Sequence, residues 1–130
     1  MAGLRFAAPK ERRVALVTGG ARGLGGAAAV RLAEEGRDVV IVDVRDEAER
    51  EREGAIPYSV HAPRGLLEFI ADPESPIYND ALTTERRLVL YCGTGGRSAL
   101  AAKTLVDMGY PDVLSLAGGY SAWAAAEQSE

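Results

Sequence analysis

The 130-residue sequence predicts an α/β fold: one domain, with a mainly parallel sheet covered by helices on both faces. Three observations carry that prediction. Short apolar runs rich in β-branched residues recur along the chain, as buried parallel strands require. The stretches between them repeat apolar residues at helical spacing. Glycines fall directly after the runs and at the ends of the helical stretches, where turns and helix stops need them.

In order, residues 13–18 read as a first strand running into glycine. Leu24, Ala27, Ala28, Leu32 and Ala33 then mark a helix that Gly36 stops. Residues 39–42 (VVIV) form a second buried strand, closed by Asp43. The nearly all-charged segment 46–54 is expected as a solvated turn or short helix. Residues 56–62 supply a brief strand, 66–70 a short helix, and 72–80, with two prolines, a loop. Residues 88–91 (LVLY) are the next buried strand. A helix over 98–108 places Ala101, Ala102, Leu105 and Met108 on one side and stops at Gly109. Residues 113–116 are a further strand, Gly118-Gly119 a turn, and 121–127 a final helix with Trp123 covering the core.

Composition narrows the function. At 47% hydrophobic and 26% charged, the chain has material for one core. A net charge of -4 without a basic stripe excludes a nucleic-acid partner. No apolar run is long enough to span a bilayer and the N-terminus carries no apolar leader, so a cytoplasmic protein without a membrane partner is expected. One cysteine and one histidine exclude an internal disulfide and multi-cysteine metal sites; neither metal nor cofactor is expected. His61 reads as structural.

In an α/β sheet, ligands meet the loops beyond the carboxyl ends of the strands. Cys92 lies in such a loop, Tyr91-Cys92-Gly93-Thr94-Gly95-Gly96-Arg97-Ser98, between a strand and a helix. Gly93, Gly95 and Gly96 let the backbone turn tightly so that peptide N–H groups converge, and the following helix adds its positive end. Those surroundings favour thiolate over thiol, a persulfide anion, and an incoming sulfur oxyanion. Cys92 and Arg97 are therefore the candidate catalytic residues, and Gly93, Thr94, Gly95, Gly96 and Ser98 the candidate substrate-binding set. Arg64 is a candidate substrate-side cation. With four residues between Cys92 and Arg97, the cradle fits a terminal sulfur better than a phosphate ester.

Four segments carry a resemblance to a known family: VVIVDVRDEAEREREGAIP at 39–57, VHAPRGLLEF at 60–69, VLYCGTGGRSALAAKTLVDMGY at 89–110 and VLSLAGGYSAW at 113–123. In order and spacing they resemble the rhodanese domain, expected here over 12–127. The resemblance implies a strand order of 1-5-4-2-3 and transfer of sulfane sulfur through a Cys92 persulfide. The donor is thiosulfate or a persulfide; the acceptor is a small thiol, cyanide or a protein thiol. It also implies that a six-residue loop accompanies sulfur transfer and a longer one phosphatase activity. Asp43, Arg45 and Glu49 match positions with structural roles. One stretch departs from the family: Gly-His-Ile-Pro-Gly is here Gly54-Ala55-Ile56-Pro57-Tyr58, and tyrosine is strained if the last position needs positive φ.

The N-terminal VALVTGGARGLG at 14–25 resembles the opening of the short-chain dehydrogenase/reductase family. It implies a Rossmann-like βαβ segment over 14–44, with Gly19, Gly23, Gly25 and Asp43 as possible cofactor-binding residues. A Rossmann arrangement sets the first two strands side by side, whereas the rhodanese order separates them. No tyrosine is followed four residues later by lysine, the pair on which such dehydrogenases rely, so hydride transfer is not expected. The alternative to sulfur transfer is a noncatalytic rhodanese-like module that binds an anion or a nucleotide.

Overall fold

The computed structural model describes residues 15–17, 29–35 and 38–128. The chain runs β1 (Ala15–Val17), α1 (Ala29–Glu35), β2 (Val39–Asp43), α2 (Glu47–Glu53) and β3 (Val60–His61). A 3-10 turn (Arg64–Leu66) leads into α3 (Leu67–Ile70), followed by β4 (Arg87–Tyr91), α4 (Gly96–Met108), β5 (Val113–Leu116) and α5 (Gly119–Gln128). All strand pairs are parallel, in the order β1-β5-β4-β2-β3. This is the order the rhodanese resemblance implies.

Strand alternation sends side chains to the two faces. Val40, Val42, Leu88, Leu90 and Val113 pack with Leu67 of α3 and with Ala101, Ala102 and Leu105 of α4. Val39, Ile41, Val89, Tyr91 and Leu116 face the other way, toward Val30 and Ala33 of α1 and Tyr120 and Trp123 of α5. Helices thus cover both faces, as the continuous apolar strands require.

The structure sharpens several elements. The charged stretch 46–54 is a helix because Asp46 caps it: its carboxylate accepts from Glu49 N–H at 2.8 Å while Glu49 reaches back to Asp46 N–H at 3.3 Å. The strand expected over 56–62 shrinks to Val60–His61. Pro57 has no N–H to give a ladder, and Tyr58 takes a left-handed φ of 67° that bends the chain. α4 begins at Gly96 rather than Ser98, and α5 at Gly119 rather than Ser121.

β1 lies against β5, and β5 and β4 stand between it and β2. At ordinary strand spacing that separation is about 14 Å, so the two strands are not neighbours as a Rossmann-like segment over 14–44 requires. Gly19, Gly23 and Gly25 lie outside the described residues.

Candidate active site

The parallel sheet brings the carboxyl ends of β2 and β4 together through the register Val42↔Leu90 and Asp43↔Tyr91. The chain beyond β4 is the cysteine loop; the chain beyond β2 is its brace. Cys92 is 1% exposed. Its Sγ accepts from Gly95 N–H at 3.1 Å and from Ser98 N–H at 3.4 Å, and lies 3.6 Å from Ser98 Oγ. Burial alone pushes this thiol up. The Ser98 N–H and hydroxyl and the Gly95 and Thr94 N–H groups outweigh it, leaving the thiol below its ordinary value. The loop donors thus shift the balance toward thiolate without a histidine base.

The loop is shaped from behind by α5. Tyr120 N–H donates to Cys92 O at 2.8 Å and Ser121 N–H to Gly93 O at 3.1 Å. With Gly93 O held on the α5 side, the Thr94 N–H of the same peptide turns toward the sulfur and joins those of Gly95 and Ser98. Gly119 sits so close that a Cβ there would meet Cys92 O at 2.5 Å and Gly93 O at 2.7 Å. Gly95 adopts φ 117°, the left-handed turn that delivers the chain into α4. Thr94 and Gly96 are exposed at the loop's outer edge.

Arg97 turns from the loop to Glu49 on α2 and pairs with it through two bonds of 2.7 and 2.8 Å. The hydrogen bond from Arg97 is the main reason that Glu49 drops to a pKa of about 2. Arg97 correspondingly holds its proton more tightly, first through its hydrogen bond to Glu49. The pair ties the far end of the six-residue loop to the capped helix.

Beneath lies a second network. Asp43 is fully buried, and its two oxygens accept from Arg45 N–H (2.9 Å), Arg45 Nε (3.0 Å) and Nη2 (2.9 Å), Arg50 Nη1 (2.9 Å) and Tyr91 Oη (2.8 Å). Burial pushes this carboxyl up, but the bonds from Arg45 and Tyr91 win and hold it below the usual carboxylate range. Arg45, also fully buried, donates to Gly54 O at 2.7 Å and lies over the rings of Tyr91 and Tyr120, 5.3 and 4.6 Å from their centroids. These contacts occupy both Asp43 oxygens and leave no free edge for a ribose. His61 Nε2 meets Arg45 O at 2.7 Å, a bracing contact.

The structure therefore gathers Cys92, Gly93, Thr94, Gly95, Gly96 and Ser98 around the sulfur, joins Arg97 to Glu49, and places Asp43 and Arg45 beneath. It does not bring Arg64 to the loop: the guanidinium bonds Glu68 at 3.0 Å and Thr104 at 3.1 Å, more than two turns along α4 from Gly96. Sequence reasoning missed Ser115, which is fully buried and 2.8 Å from Ser98 Oγ. The available signal was a hydroxyl inside the apolar strand VLSL, since a buried polar side chain needs a partner. It also missed Arg50 and Tyr91 as partners of Asp43, which are not readable from spacing.

Among the described residues, no cluster of histidine, cysteine or acidic side chains is placed to hold a metal ion. Among the same residues, no helix is long and apolar enough to cross a membrane.

Comparison with known proteins agrees with this geometry. The family profile of the rhodanese-like domain matches residues 26–126. A sulfurtransferase of Allochromatium vinosum is 38% identical over 94 residues, covering 72% of this chain and 78% of the relative. The thiosulfate sulfurtransferase GlpE of Pseudomonas savastanoi pv. phaseolicola is 36% identical over 100 residues, covering 76% and 83%. A solved Rhodopseudomonas palustris structure, described as a protein of unknown function and possible tyrosine phosphatase, superposes with a TM-score of 0.75 at 41% identity, covering 88% of this chain and 82% of its own. Matched along most of its length by the family profile and by relatives of similar size, the chain belongs to the rhodanese-like domain family.

Proposed function

We propose that the chain is a sulfurtransferase, moving sulfane sulfur from thiosulfate or a persulfide to a small thiol, cyanide or a protein thiol. Cys92 is the carrier. One observation carries this reading: a cysteine sulfur accepting peptide N–H groups from Gly95 and Ser98 in a short loop. The sulfurtransferases it resembles support it.

In the first step the Cys92 thiolate attacks the outer sulfur of thiosulfate. A Cys92 S–S bond forms, the outer S–S bond of thiosulfate breaks, and sulfite leaves with the electron pair. The product is a Cys92 persulfide anion, in the field of the loop N–H groups and the start of α4. In the second step cyanide or a thiolate attacks the terminal sulfur, thiocyanate or a new persulfide departs, and the Cys92 thiolate returns. Splitting the transfer in this way replaces one difficult displacement with two easier ones.

Within this proposal Gly93, Thr94, Gly95, Gly96 and Ser98 line the sulfur cradle. Arg97 keeps N–H donors beyond the two on Glu49 for the sulfonate end of thiosulfate. Asp43, Arg45 and Glu49 hold the frame. Arg64, tied to Glu68 and Thr104, is the one predicted substrate contact left out, and no nucleotide is given a role. The cytoplasm, where thiols stay reduced, suits a thiolate carrier.

The test is intact mass after incubating pre-reduced protein with thiosulfate. One added sulfur, absent in Cys92→Ser and removed by cyanide with release of thiocyanate, is the expected result. Folded, reduced protein that gains no sulfur overturns the proposal. A second reading, a module that binds the anion without turnover, draws on the 1% exposure of Cys92. It predicts thiosulfate binding with neither added mass nor thiocyanate.

A further inference from the structure

Behind the cysteine lie two hydroxyls in series: that of Ser98, which already lines the sulfur cradle, and that of Ser115, which the two-step route does not use. Ser98 of α4 and Ser115 of β5 are both fully buried, and their Oγ atoms are 2.8 Å apart. Ser115 follows strand alternation onto the α4 face, next to Leu90, its register partner on the strand that ends at Cys92. Ser98 Oγ has two further neighbours, Gly95 O at 3.2 Å and Cys92 Sγ at 3.6 Å.

A hydroxyl has one proton to donate and two lone pairs that accept. When Cys92 is a thiol, its S–H donates to Ser98 Oγ and the Ser98 proton goes to Gly95 O. When Cys92 is a thiolate it has nothing to donate, and the Ser98 proton turns to the sulfur. In both states the Ser98 proton has another acceptor, so Ser115 is the hydroxyl left to supply the proton of the serine–serine contact, in which either oxygen can donate by geometry.

We propose that Ser115 is a positioning residue of the cysteine site: its hydroxyl donates to Ser98 Oγ, fixes that hydroxyl, and polarises it toward the Cys92 thiolate. The chain of donors runs Ser115 to Ser98 to Cys92, and each bond strengthens the next. Among the described residues, the charged groups near the sulfur are Arg97 of α4, which gains from its attraction to Cys92, and Glu49 of α2, which is paired with Arg97. β5 contributes Ser115, α5 contributes the Tyr120 and Ser121 N–H groups, and Asp43 of β2 is held by Arg45, Arg50 and Tyr91. A change at Ser115 leaves every one of these charges in place.

This inference rests on a reactive Cys92 thiolate and deepens the proposed function, but its test needs no sulfur donor. The pH dependence of iodoacetamide alkylation of Cys92 reads the thiolate directly. Ser115→Ala is expected to raise the midpoint so that the thiolate fraction below it falls about two- to threefold. Ser98→Ala, which removes a donor to the anion itself, is expected to lower that fraction by about tenfold. Ser115→Thr and Ser115→Val crowd the site equally, and only the first keeps the hydroxyl. The proposal holds if Ala and Val shift the midpoint and Thr restores it. It is overturned if Ser115→Ala leaves the midpoint unmoved, or if Thr shifts it as far as Val, because packing alone would then explain the effect. Near-UV circular dichroism confirms that each variant is folded. A protein that alkylates as predicted yet takes no sulfur from thiosulfate retains this inference and loses the proposed function.

Discussion

Glu49 joins three parts of the site through one carboxylate. It closes the capping box of α2, holds Arg97 by two bonds, and so fixes the end of the loop that carries Cys92. Because folding lowers the Glu49 pKa from 4.5 to about 2, its contribution to stability is full above pH 4.5 and is lost as the pH falls toward 2. Arg97 is nearly half exposed, so solvent screens the pair and Glu49→Gln is expected to cost about 1 kcal/mol at neutral pH. Urea titrations of parent and variant should differ at pH 7 and converge near pH 2; a gap that persists in acid rules the ion pair out as its source. Tyr58 is the opposite case, a residue its backbone does not suit. Its φ of 67° is left-handed and its side chain is 58% exposed, so little packing repays the strain. Tyr58→Gly is expected to stabilise the fold by about 1 kcal/mol, seen as a higher denaturation midpoint at unchanged slope. The departure from the family was visible in the sequence; the positive φ became a fact only with the fold.

α5 is the element on which the cysteine loop rests. Its first N–H groups bind Cys92 O and Gly93 O, and Gly119 lets the two backbones touch. The sequence showed Gly118-Gly119 as a turn between strand and helix. That this turn presses on the cysteine loop required the packing of β4 beside β5, since Cys92 and Gly119 are far apart along the chain. A methyl at residue 119 must displace one backbone or the other. Gly119→Ala is therefore expected to slow sulfur loading by about a hundredfold, the scale of a displacement near 1 Å at a reacting group. Stopped-time mass measurement of the Cys92 adduct checks this, and loading at the parental rate would place the loop's support elsewhere. α2 is the short solvated helix among the two readings of that charged segment. With no buried residue it has no apolar stripe to announce it, and the Asp46 cap settles its start.

At the scale of the whole molecule, the buried Asp43–Arg45 pair links β2 to β4 through Tyr91, to α2 through Arg50 and to α5 through the Tyr120 ring. A buried charge stripped of its partner is costly, and Arg45→Ala is expected to remove about 3–5 kcal/mol. That is a large part of the roughly 5–15 kcal/mol that holds an ordinary domain together. Equilibrium unfolding in urea measures it, and a loss under about 1 kcal/mol would mean that water or Arg50 replaces Arg45 without cost. The same network engages Asp43 within the core, which is why the acidic residue closing the second strand does not serve as a ribose acceptor. Two α/β patterns overlap in this sequence, and strand order separates them. β1 stands beside β5, with two strands between it and β2.

By itself the sequence determined the alternation of strands and helices, the two-faced burial of the sheet, and the cysteine loop with its glycines, because each depends on residues close together in the chain. Periodicity, turn chemistry and loop length are local properties and are written locally. The family resemblance already implied the strand order; only the tertiary structure decided that Ser115 stands behind Ser98, that Arg97 belongs to Glu49, and that Arg64 binds Glu68 and Thr104. Each of those joins residues brought together by packing, at separations over which neither spacing nor composition carries information.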